Sequence, residues 1–274
     1  MRPEASTRFR IGSITKTLVA IAALSLAQEG RLDLAEPVTK RLPELGSDYQ
    51  AVTLAHLLSH TSGIVNYTAD PALVARKAEA IPPSEIVTFL SKNKPVSAPG
   101  ERYAYSNSNY FLLALVLEKL ENKPLDAVLL ARVFGRAGMV RSGSAALEGD
   151  AQGMKRGPRG ALAPADHVEN AIAFGSGHVR STAKDLMALL GALETGALLD
   201  EAHLGKLTTP VKGEYGHGLV SGKIAGKEVR WHNGAIDGYS AFFGYAPSER
   251  IALVYLANVQ EFDATRAGMA ALEM

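Results

Sequence analysis

The hydrophobic pattern of the first two thirds of the chain is typical of helices. Residues 13–29 are apolar on nearly every face, which predicts a buried helix, and Gly30 follows where a helix commonly ends. A proline, serine or threonine opens each of five further apolar repeats, as expected of helix starts. These repeats predict helices beginning at Thr53, Pro82, Ser106, Pro124 and Ser181.

Near Glu214 the pattern changes to short segments rich in Val, Ile, Tyr and Phe, separated by Gly, Pro and Ser. Such segments predict strands joined by turns, one of them at residues 247–249. Residues 140–170 show no clear period and predict an extended loop region. Helices that are separated along the chain from antiparallel strands indicate an α+β fold. We therefore expect an antiparallel sheet flanked by helices, together with a mainly helical lobe.

The composition limits the function more than the fold. The 274 residues are 47% hydrophobic and 21% charged, enough for a large core, and the formal net charge is +1. So small a charge provides no field to hold nucleic acid or a membrane surface, and we expect neither as a partner. The chain has no cysteine, which excludes disulfides, thiolate nucleophiles and cysteine-ligated metals.

Two further features concern membranes and export. The longest apolar run, residues 18–27, is too short to span a bilayer. The opening residues 1–10 lack the apolar core of a signal peptide. We therefore expect a soluble chain with no membrane span, and the compartment stays open.

Ser13 and Lys16 lie at the start of the first predicted helix. Residues three apart on a helix share a face, so the two side chains can touch. This pair is either an ordinary helix start or a nucleophile beside its base, because burial would lower the pKa of the lysine and leave a neutral amine near the hydroxyl. The same spacing begins at Ser91 and at Ser181, so the motif alone is weak.

A second candidate, Tyr105-Ser106-Asn107, falls where an irregular segment enters a buried helix. It is either a capping turn or a place where a phenol relays protons and an amide holds a substrate carbonyl. A third candidate, His232-Asn233-Gly234, lies on a predicted strand. It is either a polar turn or an edge strand whose N–H stabilises an oxyanion, with His232 orienting groups or donating protons.

The order of these three motifs along one chain is more specific than any one of them. With the blocks "AHLLSHTSGI", "STAKDL" and "YGHGLV", they resemble the serine β-lactamase and penicillin-binding-protein superfamily. The closest likeness is to the branch of class C β-lactamases, D-Ala-D-Ala carboxypeptidases and family VIII esterases. The resemblance implies one β-lactamase/transpeptidase-like catalytic domain over residues 1–274. Its helical lobe would span about 50–170, and its sheet-bearing lobe 1–50 and 171–274.

The resemblance also implies a serine hydrolase that forms an acyl-enzyme and needs neither a cofactor nor a metal. Ser13 would attack, with Lys16 and Tyr105 exchanging its proton. The backbone amides of Ser13 and Ala235 would form the oxyanion hole, and Asn107 would hold the acyl amide or ester group. The strand motif would complete the substrate-binding and oxyanion side of the site with His232, Asn233 and Gly234.

Two departures from the family pattern affect these expectations. Relatives carry strands before the Ser-x-x-Lys helix, whereas twelve residues precede Ser13 here. Either the start is truncated or the sheet is reduced, with an exposed edge that would permit a homodimer by strand pairing. Asn233 stands where Thr or Ser is frequent, and the loss of that hydroxyl disfavours strong binding of a substrate carboxylate, hence efficient turnover of β-lactams or D-Ala-D-Ala. Because no Lys-Thr-Gly is present, we expect a small ester or a D-amino-acid peptide as substrate. The resemblance also implies frequent export, to the periplasm or cell surface.

Two rival hypotheses come from other classes. His56 and His60 have the i, i+4 spacing of a helical zinc site, although no glutamate stands beside them as a base. The reduced N-terminal region also allows a non-catalytic, β-lactamase-like binding module. The choice of acyl substrate would depend on loops such as 64–82 and 140–170.

Overall fold

The computed structural model describes residues 3–273 and contains both helices and antiparallel strands. The helices are α1 (Ile14–Gln28), α2 (Leu54–Leu58), α3 (Pro71–Ala75), α4 (Pro83–Lys92), α5 (Asn107–Glu121), α6 (Leu125–Leu129), α7 (Gly135–Ala137), α8 (Ala183–Glu194), α9 (Glu201–Thr208) and α10 (Ala264–Glu273). The strands are β1 (Phe9–Arg10), β2 (Met154–Arg156), β3 (Leu162–Pro164), β4 (Arg180–Ser181), β5 (Val220–Ile224), β6 (Lys227–Ile236), β7 (Tyr239–Ala246) and β8 (Ile251–Ala257).

The four C-terminal strands form one antiparallel sheet in the order β5-β6-β7-β8. Helix α8 packs against β8, and α10 packs against β7 and β8. Strand β1 pairs with β4 instead of joining this sheet. The arrangement confirms the predicted α+β fold, and among residues 3–273 no N-terminal strand extends the sheet beyond β8.

Helix α1 is the centre of the core. Thirteen of its fifteen residues are buried, so the apolar pattern on all its faces reflects complete enclosure. Each fully buried Leu or Ile contributes about 1.5–3 kcal/mol of transfer free energy. The helix ends as predicted, since Gly30 takes a φ of +70° and its N–H donates to the Ala27 carbonyl at 2.9 Å.

Strand β6 has different neighbours along its two halves. Its first half pairs with β5, from Lys227 opposite Ile224 to Trp231 opposite Val220. Residues 232–236 pair with β7 but lie beyond the end of β5. The strand is therefore internal to the sheet overall, and one edge of its last five residues faces the start of α1.

Three regions differ from the sequence-based expectations. Residues 140–170, predicted to be an extended loop, contain the hairpin of β2 and β3, which the short and mainly polar sequence does not signal. The helix predicted from Pro124 is interrupted by a π-helical turn over Leu130–Phe134. Helix α10 was not predicted, although its apolar residues pack onto the sheet.

Within residues 3–273, no helix combines the length and the hydropathy that crossing a bilayer requires.

Candidate active site

Ser13 and Lys16 are in contact at the amino end of α1. Ser13 is the residue immediately before the helix, and the Lys16 Nζ lies 2.9 Å from the Ser13 Oγ. The same Nζ donates to the Ser176 carbonyl oxygen at 2.8 Å. Ser176 belongs to the irregular segment before β4, so the lysine is held from two sides.

Lys16 is completely buried, with 0% of its surface exposed. Burial penalises the ammonium form and holds the pKa of Lys16 well below its ordinary value of 10.5. The neighbouring aromatic rings complete the enclosure, since the Nζ lies 4.9 Å from the ring centroid of Tyr105. A neutral amine keeps a lone pair that can accept the Ser13 hydroxyl hydrogen while an N–H still donates to Ser176.

Tyr105 reaches Ser13 from the segment before α5. The tyrosine keeps 39% of its surface exposed, and its hydroxyl is close enough to Ser13 to interact with that side chain. Burial raises the pKa of Tyr105 above 10.0, and the interaction with the Ser13 hydroxyl offsets part of that rise. The phenol is therefore protonated at neutral pH.

His60 packs against the ring of Tyr105. Its ring lies 4.3 Å from the Tyr105 ring, centroid to centroid. The Ser106 backbone N–H donates to the His60 Nδ1 at 3.2 Å, and the Asn109 Nδ2 lies 3.0 Å from the same atom. The histidine thus fixes the entry to α5, and burial keeps its pKa well below 6.5.

Asn107 is the first residue of α5 and faces the same cavity as Ser13. Its Nδ2 donates to the Thr68 Oγ1 at 2.7 Å, and its backbone N–H donates to the Asn66 Oδ1 at 3.1 Å. These bonds fix the amide so that its Oδ1 is the remaining acceptor for a ligand N–H. Thr68 and Asn66 belong to the 64–82 segment, so this loop positions Asn107.

The last residues of β6 pass directly beside the start of α1. A Cβ placed on Gly234 would lie 1.9 Å from the Ile11 carbonyl oxygen and 3.1 Å from the Ser13 N. A Cβ placed on Gly12 would lie 2.7 Å from the Ala235 N. Only glycine permits these approaches, which bring the backbone at Ser13 close to the backbone at Ala235.

His232 lies behind this contact and is 1% exposed. Its Nδ1 lies 2.6 Å from the Asn233 carbonyl oxygen, and its Nε2 lies 3.0 Å from the Tyr215 hydroxyl. Burial and the charge of Lys16 lower the pKa of His232 to about 3. Both ring nitrogens of His232 thus have a hydrogen-bond partner within the protein. The Asn233 residue itself is exposed.

A cavity of about 200 Å³ opens above Ser13. Among the predicted site residues, Ser13, Asn107 and Ala235 line it, while Lys16 and Tyr105 stand beside Ser13. The other lining residues are Thr68, Val74, Lys77, Val168, Ile172, Ala173, Ser176, Gly177, Ile236 and Asp237. The walls are mainly apolar, with one pair of opposite charges, Lys77 and Asp237.

Several site residues were not identified from the sequence. Tyr215 lies in the block "YGHGLV", which the resemblance includes without indicating a role, and Ser176 lies five residues before the block "STAKDL". His60 is a rival zinc ligand and part of the block "AHLLSHTSGI", and neither prediction indicates a contact with Tyr105. Lys77 and Asp237 lie in segments without a motif, and nothing local signals their meeting.

The rival zinc hypothesis depended on His56 and His60 sharing a helix face. Helix α2 ends at Leu58, and His60 has a φ of +55°, so the two residues are not on one helix. The His56 Nδ1 accepts a hydrogen bond from the Thr53 N–H at 3.1 Å, at the start of α2. Within residues 3–273, no three His, Asp or Glu side chains cluster closely enough to hold a metal ion.

Similar proteins were found at the level of sequence. The Beta-lactamase family model matches residues 1–273. The putative penicillin-binding protein PbpX of Bacillus subtilis is 26% identical over 93% of this chain. The chain spans 63% of the length of that relative.

Solved structures of similar fold include proteins related to penicillin-binding proteins and amidohydrolases. A D-stereospecific amidohydrolase from Streptomyces sp. has a TM-score of 0.86 at 28% identity, over 98% of this chain and 87% of its own. An octameric penicillin-binding protein homologue from Pyrococcus abyssi has a TM-score of 0.86 at 27% identity, over 98% of this chain and 66% of its own.

These findings confirm the predicted superfamily and agree with the predicted hydrolase class, and none of them supports a non-catalytic module. Because the family model covers nearly the whole sequence, the chain belongs to the Beta-lactamase family.

Proposed function

We propose that this protein is a serine hydrolase that cleaves amides or esters through an acyl-enzyme on Ser13. One observation carries the proposal: a fully buried lysine amine lies 2.9 Å from a serine hydroxyl at the mouth of a cavity. Burial of an amine serves no obvious structural purpose and costs stability. It does lower the pKa of Lys16 and so favours the neutral amine, which can act as a base.

In acylation, the Ser13 Oγ attacks the substrate carbonyl carbon while its hydrogen passes to the neutral Lys16 Nζ. Tyr105 is the proton relay to the leaving group, because its raised pKa keeps the phenol protonated and therefore able to donate. The leaving amine or alcohol takes that hydrogen, and Lys16 returns one to the phenolate. An ester of Ser13 remains.

The Ser13 and Ala235 N–H groups stabilise the oxyanion, a role supported by the close approach of the backbones at Gly12 and Gly234. The Asn107 Oδ1 accepts a hydrogen bond from the acyl group. Asn233 and His232 have supporting roles: Asn233 continues the strand, and the neutral His232 positions it. For deacylation a water takes the place of the leaving group and attacks the acyl carbon while the Lys16–Tyr105 pair takes its proton. The proton then passes to the Ser13 Oγ as the ester bond breaks.

We propose that residues 1–274 act as one catalytic unit. The cavity takes Asn107 and Lys77 from the region predicted to form the helical lobe, and Ser13 and Ala235 from the region predicted to bear the sheet. A site built between the two lobes needs both. D-Amino-acid amides, D-amino-acid peptides and small esters are the proposed substrates, supported by the amidohydrolase among the structural neighbours.

Active-site labelling tests the proposal. A fluorescent phosphonate should label the protein, and mass analysis of peptides should locate the adduct on Ser13. Ser13→Ala should lose labelling, whereas Ser91→Ala, which removes the serine of another Ser-x-x-Lys in α4, should keep it. No adduct on a folded sample, or an adduct elsewhere, contradicts the proposal and favours a binding module.

We also propose that β8 allows the chain to pair with a second copy. In the described part of the chain β8 has β7 on one edge and no strand on the other. Sedimentation at micromolar concentrations should show a dimer or larger assembly. A monomer at all concentrations contradicts this, and the octameric homologue from Pyrococcus abyssi is one precedent for assembly.

A further inference from the structure

An ion pair crosses the mouth of the cavity. Lys77, on the segment between α3 and α4, donates a hydrogen bond to Asp237, which begins the two-residue turn between β6 and β7. Both residues line the cavity above Ser13 and are about 30% exposed at their side chains. No reaction step proposed above uses them.

The position of this pair matches the acyl part of a substrate. Asp237 follows Ala235 by two residues, so its Cα is about 7 Å further along the strand. A substrate whose carbonyl oxygen accepts from the Ala235 N–H would extend its acyl group into the same cavity, which holds about 200 Å³. A charged group on that acyl part would meet Lys77 and Asp237.

The two partners differ in what they can do if the pair is broken. The Lys77 Nζ lies 3.5 Å from the Oδ2 of a second carboxylate, Asp166. The other oxygen of that carboxylate, Oδ1, lies 2.5 Å from the Lys155 Nζ. Among the described residues, Lys77 is the single side chain that forms an ion pair with Asp237. Lys77 can therefore move to Asp166, whereas Asp237 would keep only the more distant charge of Arg10 and would gain from a new cation.

The other charges near the cavity do not remove this difference between Lys77 and Asp237. Arg10 lies behind the cavity wall and donates to the Val168 carbonyl oxygen at 2.5 Å. Burial and the charge of Arg180 lower the pKa of Arg10 to about 10, while the carboxylates of Glu169 and Asp237 raise it. Arg180 itself forms an ion pair with Asp150.

How well a substrate binds beside Lys77 and Asp237 then depends on the sign of the charge on its acyl part. An ammonium group can take the place of Lys77 at Asp237 while Lys77 moves to Asp166, so every charge keeps a partner. A carboxylate would draw Lys77 away and leave Asp237 beside a like charge, which is unfavourable. A neutral acyl group leaves the original pair in place and gains nothing from it.

We propose that Asp237 determines specificity by binding a protonated amino group on the acyl part of the substrate, with Lys77 occupying that position until substrate enters. The inference rests on the proposed function, because it needs an acyl group bound at Ser13. It adds a selection by charge that the catalytic groups do not provide.

Three p-nitroanilides with one carbon skeleton test it. The three compounds differ in the group on the carbon next to the anilide carbonyl. At pH 7 D-phenylalanine p-nitroanilide carries an ammonium at this carbon, and 3-phenylpropionyl p-nitroanilide carries a hydrogen. The third compound, the mono-p-nitroanilide of benzylmalonic acid, carries a carboxylate. We expect kcat/KM to fall in that order, by about fivefold or more at each step, as for a partly exposed ion pair. Equal values, or a preference for the carboxylate, overturn the proposal.

Two variants assign the preference to residues. In Asp237→Asn the ratio of the ammonium to the neutral substrate should fall to about one, within the error of the rates. In Lys77→Met the same ratio should rise, since Asp237 is no longer occupied. Asp48→Asn, which removes an exposed carboxylate paired with Lys94, should leave the ratio as it is. A fall of the ratio in Lys77→Met contradicts the proposal.

Failure of the inference and failure of the proposed function give different results. If the phosphonate labels Ser13 and the neutral anilide is cleaved without any charge preference, the hydrolase assignment stands and the role of Asp237 is refuted. If the phosphonate does not label Ser13 and none of the three anilides is cleaved, both are refuted.

Discussion

The Tyr215 hydroxyl lies 3.0 Å from the His232 Nε2, and this contact fixes the state of the histidine. The other ring nitrogen, Nδ1, lies 2.6 Å from the Asn233 carbonyl oxygen, which can only accept. The hydrogen of the neutral ring is therefore on Nδ1, and Tyr215 donates to Nε2. The pKa of His232, lowered to about 3, keeps the ring in this state at neutral pH.

Tyr215→Phe should weaken catalysis by loosening β6. The change leaves the buried Nε2 of His232 without a donor, which costs about 1–3 kcal/mol of folding free energy. Because Ala235 is on the same strand, we expect kcat to fall by about three- to tenfold while KM changes little. Urea unfolding and steady-state kinetics on the best substrate measure the two effects.

A spectroscopic signal separates this role from general destabilisation. The ¹⁵N shift of the His232 Nε2 should move towards that of a nitrogen without a hydrogen bond in Tyr215→Phe. Tyr103→Phe removes a hydroxyl from a neighbouring, 40% exposed ring and should leave that shift unchanged. An unchanged shift in Tyr215→Phe would show that the tyrosine does not donate a hydrogen bond to Nε2.

The pH dependence of kcat/KM should reflect the buried amine. The base is the neutral form of Lys16, so the rate should rise as pH increases through its folded-state pKa and then level off. Since that pKa is well below 10.5, the plateau should be reached well before pH 10. The raised pKa of Tyr105 keeps the phenol protonated, so no decline is expected below pH 10.

Rates on an uncharged ester between pH 5 and 10 measure this profile. A rate that still rises steeply at pH 10 would mean that Lys16 titrates like an exposed lysine.

Lys16 should also affect stability in a pH-dependent way. The unfolded chain holds a proton on this lysine up to about 10.5, whereas the folded chain releases it at lower pH. The free-energy cost of burying this lysine is largest below the folded-state pKa, where the buried amine is charged, and it disappears as pH rises to 10.5. Lys16→Met does not titrate, so its free energy of unfolding relative to the natural chain should decrease as pH rises from 7 to 10.

Urea unfolding at several pH values gives this difference, and the same variant should lose at least about 100-fold in acylation rate. A difference that is constant with pH would argue against a neutral, buried Lys16.

Gly234→Ala should separate β6 from the start of α1. The new Cβ would lie 1.9 Å from the Ile11 carbonyl oxygen, so the backbone must shift. We expect a loss of about 100-fold in kcat, comparable with removal of one oxyanion donor, and a loss of a few kcal/mol in stability. Gly191→Ala, in α8 with open space around it, should gain up to about 1 kcal/mol.

Steady-state kinetics and thermal unfolding compare the two alanine variants. Full activity in Gly234→Ala would show that the close approach to Ser13 is not needed.

The sequence by itself determined the local parts of this protein. The all-apolar pattern of residues 13–29 predicted the buried α1, and the i, i+3 spacing put the Ser13 and Lys16 side chains together, because helix geometry is fixed within one turn. Short segments rich in β-branched and aromatic residues predicted the C-terminal strands. The family resemblance supplied the expectation that Tyr105 and the segment 232–235 belong with Ser13.

Only the tertiary structure decided what surrounds these groups. Complete burial of Lys16 requires the Ser176 segment and the Tyr105 ring, which come from distant parts of the chain. The Lys77–Asp237 pair joins residues 160 positions apart, and exposed charges leave no periodic signal. Periodicity reports which face of an element is buried, whereas the partner on that face depends on packing between elements, and the electrostatic environment follows from that packing.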